Sequence, residues 1–389
     1  MKILFVHEVN YLDKVVFEMH EFPERLAMQG HEVIFIDYSE KGEKVKGRRL
    51  LQDRQISGRS NPDASLRLIT IPRLVFGTID RLLVAVAMIL FAPIALRRIK
   101  PDVVISYAVP TLGWQFNIAS RVLGIPFVYR AIDVSHKIRS TPFARLVRKS
   151  ERFMYRNSTL TLFNNKALQK YGELEGCPDS KSSVLFPGFD SWPLETGNFQ
   201  KKINFDYNTV FLGTLFSFCG IDWFLDELVN NKEANEISLL IIGDGELKQK
   251  LVTQINDKGL SSRVQLYGRA EYEELPALLR KAKVAVIPFA VSDVTRFALP
   301  GKVPQYIRSF LPTVSTPLDG LMSFLPEGHG VVYVPQGRGF VDECTKLLTD
   351  PSLRENLVAL GIRTLDRNAT WPSQTEQLEG HLSRITKAR

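Results

Sequence analysis

An α/β chain of two doubly wound, Rossmann-like domains facing across a cleft is what this sequence predicts. Short apolar runs alternate with helical stretches, the pattern of parallel βαβ units. The alternation is interrupted once, from Phe186 to about Asp206, by a stretch rich in Pro, Gly, Ser and charge, and then restarts. A chain of 389 residues also exceeds what one hydrophobic core usually organises. The expected domains are 1–190 and 207–370, joined by a linker at about 191–206. The last helix, 371–389, is free to pack back on the first domain.

In the first half, Lys2–Val6 reads as a strand and Val15–Gln29 as a helix ended by Gly30. Strands follow at Glu32–Asp37, Ser65–Pro72, Val103–Tyr107, Pro126–Ala131 and Thr159–Phe163. Helices fall between them around Leu82–Lys100, Trp114–Leu123 and Pro142–Arg156. The second half repeats the pattern. Thr209–Gly213, Ile237–Gly243, Val264–Tyr267 and Val284–Pro288 are strands, and Ile221–Asn230, Glu246–Lys258 and Tyr272–Ala282 are helices. The end is mostly helical, with Trp371-Pro372 opening the final helix.

Hydrophobic content of 44% with 24% charge excludes a disordered chain. Cys177, Cys219 and Cys344 lie far apart with no CxxC or His-paired spacing, which argues against a disulfide framework or a structural zinc and fits a reducing compartment. The first residues turn polar after five positions and lack a secretory apolar region, so a cytoplasmic location is expected. The longest apolar run, Leu82 to Leu96, is fifteen residues and falls short of the roughly twenty of a membrane span. Net charge is +8, concentrated between Arg73 and Arg156, where fourteen Lys/Arg face four Asp/Glu. That excess favours phosphates or acidic lipid. No zinc finger or aromatic–basic RNA motif accompanies it, so nucleic acid is not expected as a partner.

Three loops of the second half carry the chemistry. Phe211-Leu212-Gly213-Thr214-Leu215 and Gly243-Asp244-Gly245 are glycine turns directly after strands. Leu299-Pro300-Gly301-Lys302-Val303-Pro304-Gln305-Tyr306 reads as the opening of a helix after the apolar strand Val284–Phe289. Unpaired N–H groups at a helix start suit a phosphate, Lys302 adds a cation, and Gln305 can hydrogen-bond a hydroxyl. The bland alternative is a buried strand followed by a surface helix. With neither a Walker A sequence nor a true GxGxxG, dinucleotide redox chemistry has no support.

These turns, with Tyr267-Gly268-Arg269, Glu274-Leu275-Pro276 and Leu185-Phe186-Pro187-Gly188-Phe189-Asp190, resemble the GT-B superfamily of glycosyltransferases over nearly the whole chain. Its common retaining members carry two glutamates eight positions apart beside the lysine helix. Here those positions hold Phe297 and Gln305, and the Arg/Lys pair after the first glycine turn is absent. Lys302-x-x-Gln305-Tyr306 and Tyr129-Arg130-Ala131-x-Asp133 are instead similar to the inverting glucuronosyltransferase of the xanthan pathway; the retaining group-1 enzymes are a more distant resemblance. The resemblance implies Asp133 as catalytic base, with Lys302, Gln305, Leu215 and Phe289 holding UDP. Gly213, Thr214, Arg269, Gly301 and Val303 complete the implied donor site, with no cofactor or metal beyond the UDP-sugar substrate.

An inverting transfer is one in-line displacement, needing a base for the acceptor hydroxyl and a charge sink for the leaving diphosphate. Alternatives for Asp133 are a helix cap or an ion pair with Arg130, His136 or Lys137; His7 is the alternative base. The segment Arg81–Lys100, apolar in the middle and basic at its ends, reads either as a buried helix or as one docking on the anionic inner membrane. Docking would suit a polyprenyl-linked acceptor; a free saccharide is the other candidate. A retaining transferase, a non-catalytic nucleotide- or sugar-binding subunit of a glycan-synthesis complex, and a membrane-recruited scaffold are the rival functions.

Overall fold

A computed structural model of the protein describes residues 1–14, 16–39, 51–73, 79–138, 143–189 and 203–387. The chain divides into two compact units, Met1–Gly188 with Thr370–Arg389, and Phe189–Ala369. Most of the expected linker, 190–202, lies outside the described residues, as does Val15.

The first unit is built on eight strands: β1 (Lys2–Val6), β2 (Glu32–Tyr38), β3 (Gln52–Ser57), β4 (Ser65–Ile71), β5 (Val103–Ser106), β6 (Phe127–Ala131), β7 (Leu160–Phe163) and β8 (Ser182–Val184). Their order is β3-β4-β2-β1-β5-β6-β7-β8, parallel throughout except for the β3–β4 hairpin. The central strands are continuous apolar runs because helices cover both faces, which leaves no solvent side to alternate toward. Phe5, Phe22, Phe35, Leu68 and Ile105 form the core with Trp371, Leu378 and Leu382 of the last helix. That helix, Trp371–Lys387, lies against helix Glu18–Met28, with the Phe22 and Trp371 rings edge to face at 5.3 Å.

In the second unit, β9 (Thr209–Leu212), β10 (Leu239–Ile242), β11 (Val264–Gly268), β12 (Val284–Ile287), β13 (Thr313–Ser315) and β14 (Val331–Tyr333) form a wholly parallel sheet. Its order is β11-β10-β9-β12-β13-β14.

The expected elements are present with small shifts in their ends. Helix 15–29 starts at Glu18, and 272–282 divides into a 3-10 turn at Tyr272–Glu274 and a helix at Leu275–Lys281. Sequence pattern missed β3, β8, β13, β14 and helix Lys166–Leu174, while helix Pro351–Asn368 falls in the end expected to be mostly helical. The edge strand β3 is polar and largely exposed. It is held by its hairpin ladder and by a bidentate pair in which Arg67 donates to Asp53 at 2.8 and 2.6 Å.

Candidate active site

In the second unit the glycine turns interlock at the carboxyl ends of adjacent strands. The Gly213 N–H donates to Ile242 O at 2.9 Å, and the Gly243 N–H to Gly268 O at 2.8 Å. Gly213 and Gly243 have φ of +148° and +154°, backbone that side-chain-bearing residues rarely adopt. Space forbids a side chain as well. A Cβ on Gly243 would stand 1.9 Å from Gly213 O, and one on Gly213 would stand 2.0 Å from Lys302 Nζ. The lysine amine is therefore laid directly against the Gly213 backbone.

Lys302 is the first residue of helix Lys302–Arg308. Its Nζ sits 4.7 Å from the Phe211 ring centroid and 5.0 Å from that of Phe289. Two aromatic faces hold the ammonium by cation–π attraction, and no carboxylate pairs with it among the described residues. Burial pulls its pKa down to about 8, partly opposed by the Cys219 thiol. Such a cation, half dehydrated and lacking a counter-ion, is suited to receive an anion.

The expected helix-start cradle is narrower than the sequence implied. The helix has seven residues, its Val303 N–H is already returned to Pro300 O at 3.0 Å, and Pro304 has no N–H. Tyr306, fully buried, fixes this helix to the end of β9: its hydroxyl accepts the Leu212 N–H at 2.6 Å.

The other candidate donor residues separate into exposed and packed groups. Thr214, Gly301 and Arg269 are exposed, and Gln305 is half-buried with no side-chain hydrogen bond among the described residues. Val303 and Leu215 are fully buried. Leu215 offers backbone only: its N–H donates to Asp244 O at 3.0 Å and its carbonyl accepts from Leu247 N at 3.1 Å. The exposed side chain beside it is Phe216, stacked on Phe218 at 5.3 Å, which in turn meets Phe289 edge-on at 5.7 Å. Sequence assigns no role of their own to Phe211, Phe218 and Tyr306, although Phe211 and Tyr306 stand inside the quoted motifs. Their type and position, aromatic residues bracketing Gly213 and following Gln305, were the available signal.

In the first unit, Asp133 follows β6 in a bend. The ion-pair alternatives with Arg130 and His136 are closed. Arg130 is fully buried, donates through Nε and Nη2 to Glu18 at 2.8 Å each, and through Nη1 to Leu185 O at 2.7 Å. His136 Nδ1 is paired with Glu151 at 2.7 Å, and Lys137 Nζ lies 5.5 Å from the Tyr171 ring centroid. The short helix that follows, Ser135–Ile138, starts two residues later, and the Lys137 N–H returns to Val134 O. Asp133 itself makes no hydrogen bond or ion pair among the described residues. Burial, reinforced by the nearby Glu18 and Glu151 charges, lifts its carboxyl to about 7. An unpaired carboxylate poised near neutrality can take or give a proton at working pH.

His7, the alternative base, is stacked on Tyr107 at 5.1 Å, and its Nδ1 accepts the Glu8 N–H at 2.8 Å. Arg81, partly exposed, has its guanidinium 5.3 Å from the Tyr38 ring centroid and Nη1 3.4 Å from the buried Glu8. Among the described residues no group of three His, Cys, Asp or Glu side chains is placed to hold a metal ion.

Residues 206–350 match the model of the glycosyl transferases group 1 family, and residues 19–191 match that of glycosyltransferase family 4. HepE of Anabaena, solved with UDP and glucose, superposes with a TM-score of 0.73 at 16% identity over 98% of this chain and 99% of that one. The chain has the GT-B fold of glycosyltransferases. Sucrose-phosphate synthase of Thermosynechococcus elongatus shares this GT-B architecture with a TM-score of 0.75, at 11% identity and full coverage of both chains. WaaG, a glycosyltransferase involved in lipopolysaccharide biosynthesis, matches with a TM-score of 0.65 at 16% identity, over 97% of this chain and 98% of its own. By sequence, an uncharacterised glycosyltransferase of Methanocaldococcus jannaschii is 23% identical over 206 residues. That match covers 50% of this GT-B chain and spans about half, 52%, of the curated relative.

Proposed function

We propose that this GT-B chain is an inverting, metal-independent glycosyltransferase that moves a sugar from a UDP-sugar to a lipid-linked or saccharide acceptor. The unit Phe189–Ala369 holds the donor, and the unit containing Asp133 receives the acceptor. Asp133 takes the proton from the acceptor hydroxyl as its oxygen attacks the anomeric carbon. The bond from that carbon to the diphosphate oxygen breaks on the opposite side, and UDP leaves. Lys302, with the Gly213 turn, neutralises the charge that grows on the diphosphate. Gln305 binds the ribose or a phosphate, and Arg269 and Phe289 border the nucleotide. The carrying observation is the pair of unsatisfied groups, a carboxyl near neutrality at Asp133 and an ammonium without a counter-ion at Lys302. The complexes of HepE with UDP and with UDP-glucose support the choice of donor.

The setting we propose is bacterial exopolysaccharide or other surface-glycan synthesis, in the cytoplasm and peripheral to the inner face of the plasma membrane. A second reading, retaining transfer, is favoured by the group 1 match over residues 206–350. Phe297 and Gln305, standing where the retaining resemblance has glutamates, weigh against it. A thermal-shift panel of nucleotide sugars identifies the donor by the largest stabilisation. NMR of the product then reads its anomeric configuration: inversion supports the present reading, and retention replaces it with the second.

A further inference from the structure

Helix Ile79–Ile99 is long and apolar enough, by length and composition, to cross a membrane, yet a third (33%) of its most apolar window is buried in the unit. Its inner stripe, Val84, Met88, Ala92, Leu96 and Ile99, packs into the domain. The outer stripe should then be polar, as on any helix covering a sheet in water. It is not. Leu82, Leu83, Val86, Ile89, Leu90 and Ile94, recurring at steps of one, three or four along one face, are 40 to 73% exposed. From Leu82 to Ile94 that stripe runs about 18 Å at 1.5 Å per residue. Singly exposed apolar side chains are ordinary, but a continuous stripe of them marks an interaction surface.

Chemistry around the stripe points to one occupant. At its carboxyl end stand the exposed cations Arg97, Arg98 and Lys100. Helix Gly113–Val122 lies alongside and adds exposed Ile118 and Val122; helix Ala144–Asn157 packs next to that one and adds exposed Phe143, Leu146, Arg145 and Lys149. Apolar side chains bordered by cations that have no ion pair among the described residues, with no exposed acidic residue on the stripe, match an anionic lipid surface: acyl chains for the stripe and headgroup phosphates for its rim. The buried inner face and the place of the helix as the crossover between β4 and β5 make it lie in the interface and not span it.

We infer that the outer face of helix Ile79–Ile99, with Arg97, Arg98 and Lys100, docks the first unit flat on an anionic phospholipid bilayer. The inference deepens the peripheral-membrane part of the proposed function and rests on it, while being independent of the donor chemistry. The test is flotation of the full chain with vesicles of pure phosphatidylcholine and with vesicles containing phosphatidylglycerol. Binding should require phosphatidylglycerol and fall with salt. Arg97→Glu with Arg98→Glu should weaken it by on the order of 30-fold or more, two cations each contributing about fivefold. Leu83→Glu with Leu90→Glu should abolish it. The UDP-induced thermal shift of each variant, read alongside, reports folding and the donor site separately from docking. Equal binding to both vesicle types, or binding unaffected by either double variant, overturns the inference. So does a dimer in light scattering that Leu83→Glu with Leu90→Glu dissolves, since a second copy would then be the occupant.

Discussion

Replacing Asp133 by asparagine removes a charge that the fold does not satisfy. The carboxyl rises from 3.8 to about 7 through burial and the Glu18 and Glu151 charges, roughly three pKa units at 1.36 kcal/mol each. The ceiling is therefore about 4 kcal/mol, and solvent reaching the half-buried side chain reduces it to about 2 kcal/mol. Because the folded pKa lies above the unfolded one, the folded protein binds the extra proton between about pH 4 and pH 7. Wild-type stability falls over that window as pH rises, and the asparagine variant escapes the loss. At pH 8 the variant should melt higher by about 4–8 °C, taking 2–4 °C per kcal/mol for a unit of this size. At pH 5 the gain should shrink to less than half. Thermal melts followed by circular dichroism at the two pH values measure it. A gain that does not depend on pH, or a loss at pH 8, would refute the electrostatic account of Asp133.

Lys302→Met should follow the same logic with opposite charge, melting higher without ligand at pH 7 and binding UDP at least tenfold more weakly by calorimetry. In the wild type, UDP affinity should fall as pH rises through about 8, where the free amine loses its proton, with proton uptake on binding detectable from the buffer dependence of the heat. Gly213→Ala places a methyl 2.0 Å from Lys302 Nζ at a φ of +148°, so it should displace the amine and lower UDP affinity more than it lowers stability. Glu18→Gln leaves the buried Arg130 guanidinium without its carboxylate and should cost about 3–5 kcal/mol by urea unfolding. It should also move the acid limb of the rate profile downward, because one of the charges that raise Asp133 is gone.

The fold was legible because the central strands of both sheets are parallel and buried: runs such as Leu239–Ile242 stay apolar on both faces, a strong and local signal. Strand β3 was not, since the exposed edge sequence Gln52–Ser57 carries no apolar pattern and depends on its hairpin partner. In the donor half, the glycine turns and Lys302 stand out as residue types with a backbone or charge reason. The ring of Phe211 does not, because it reads as an ordinary strand residue, and Phe289, given a nucleotide contact by resemblance, shows its contact with the lysine amine only once the tertiary fold brings the two together. Leu215, given a ligand-contacting role by resemblance, is a core residue whose neighbour Phe216 is the exposed one. For Asp133, sequence left open a helix cap or an ion pair with Arg130, His136 or Lys137. Only the long-range pairs Glu18–Arg130 and Glu151–His136 engage the first two of those cations elsewhere. The Leu82–Leu96 run was equally ambiguous, since composition does not say which side of a helix the domain covers.

The central claim, that Asp133 is the base and Lys302 the nucleotide's anchor, is tested most directly by Asp133→Ala assayed with the identified UDP-sugar and acceptor. UDP affinity measured by calorimetry should equal that of the wild type, while the transfer rate falls by about two to four orders of magnitude. Turnover within a few-fold of wild type, with nucleotide binding intact, would contradict the assignment.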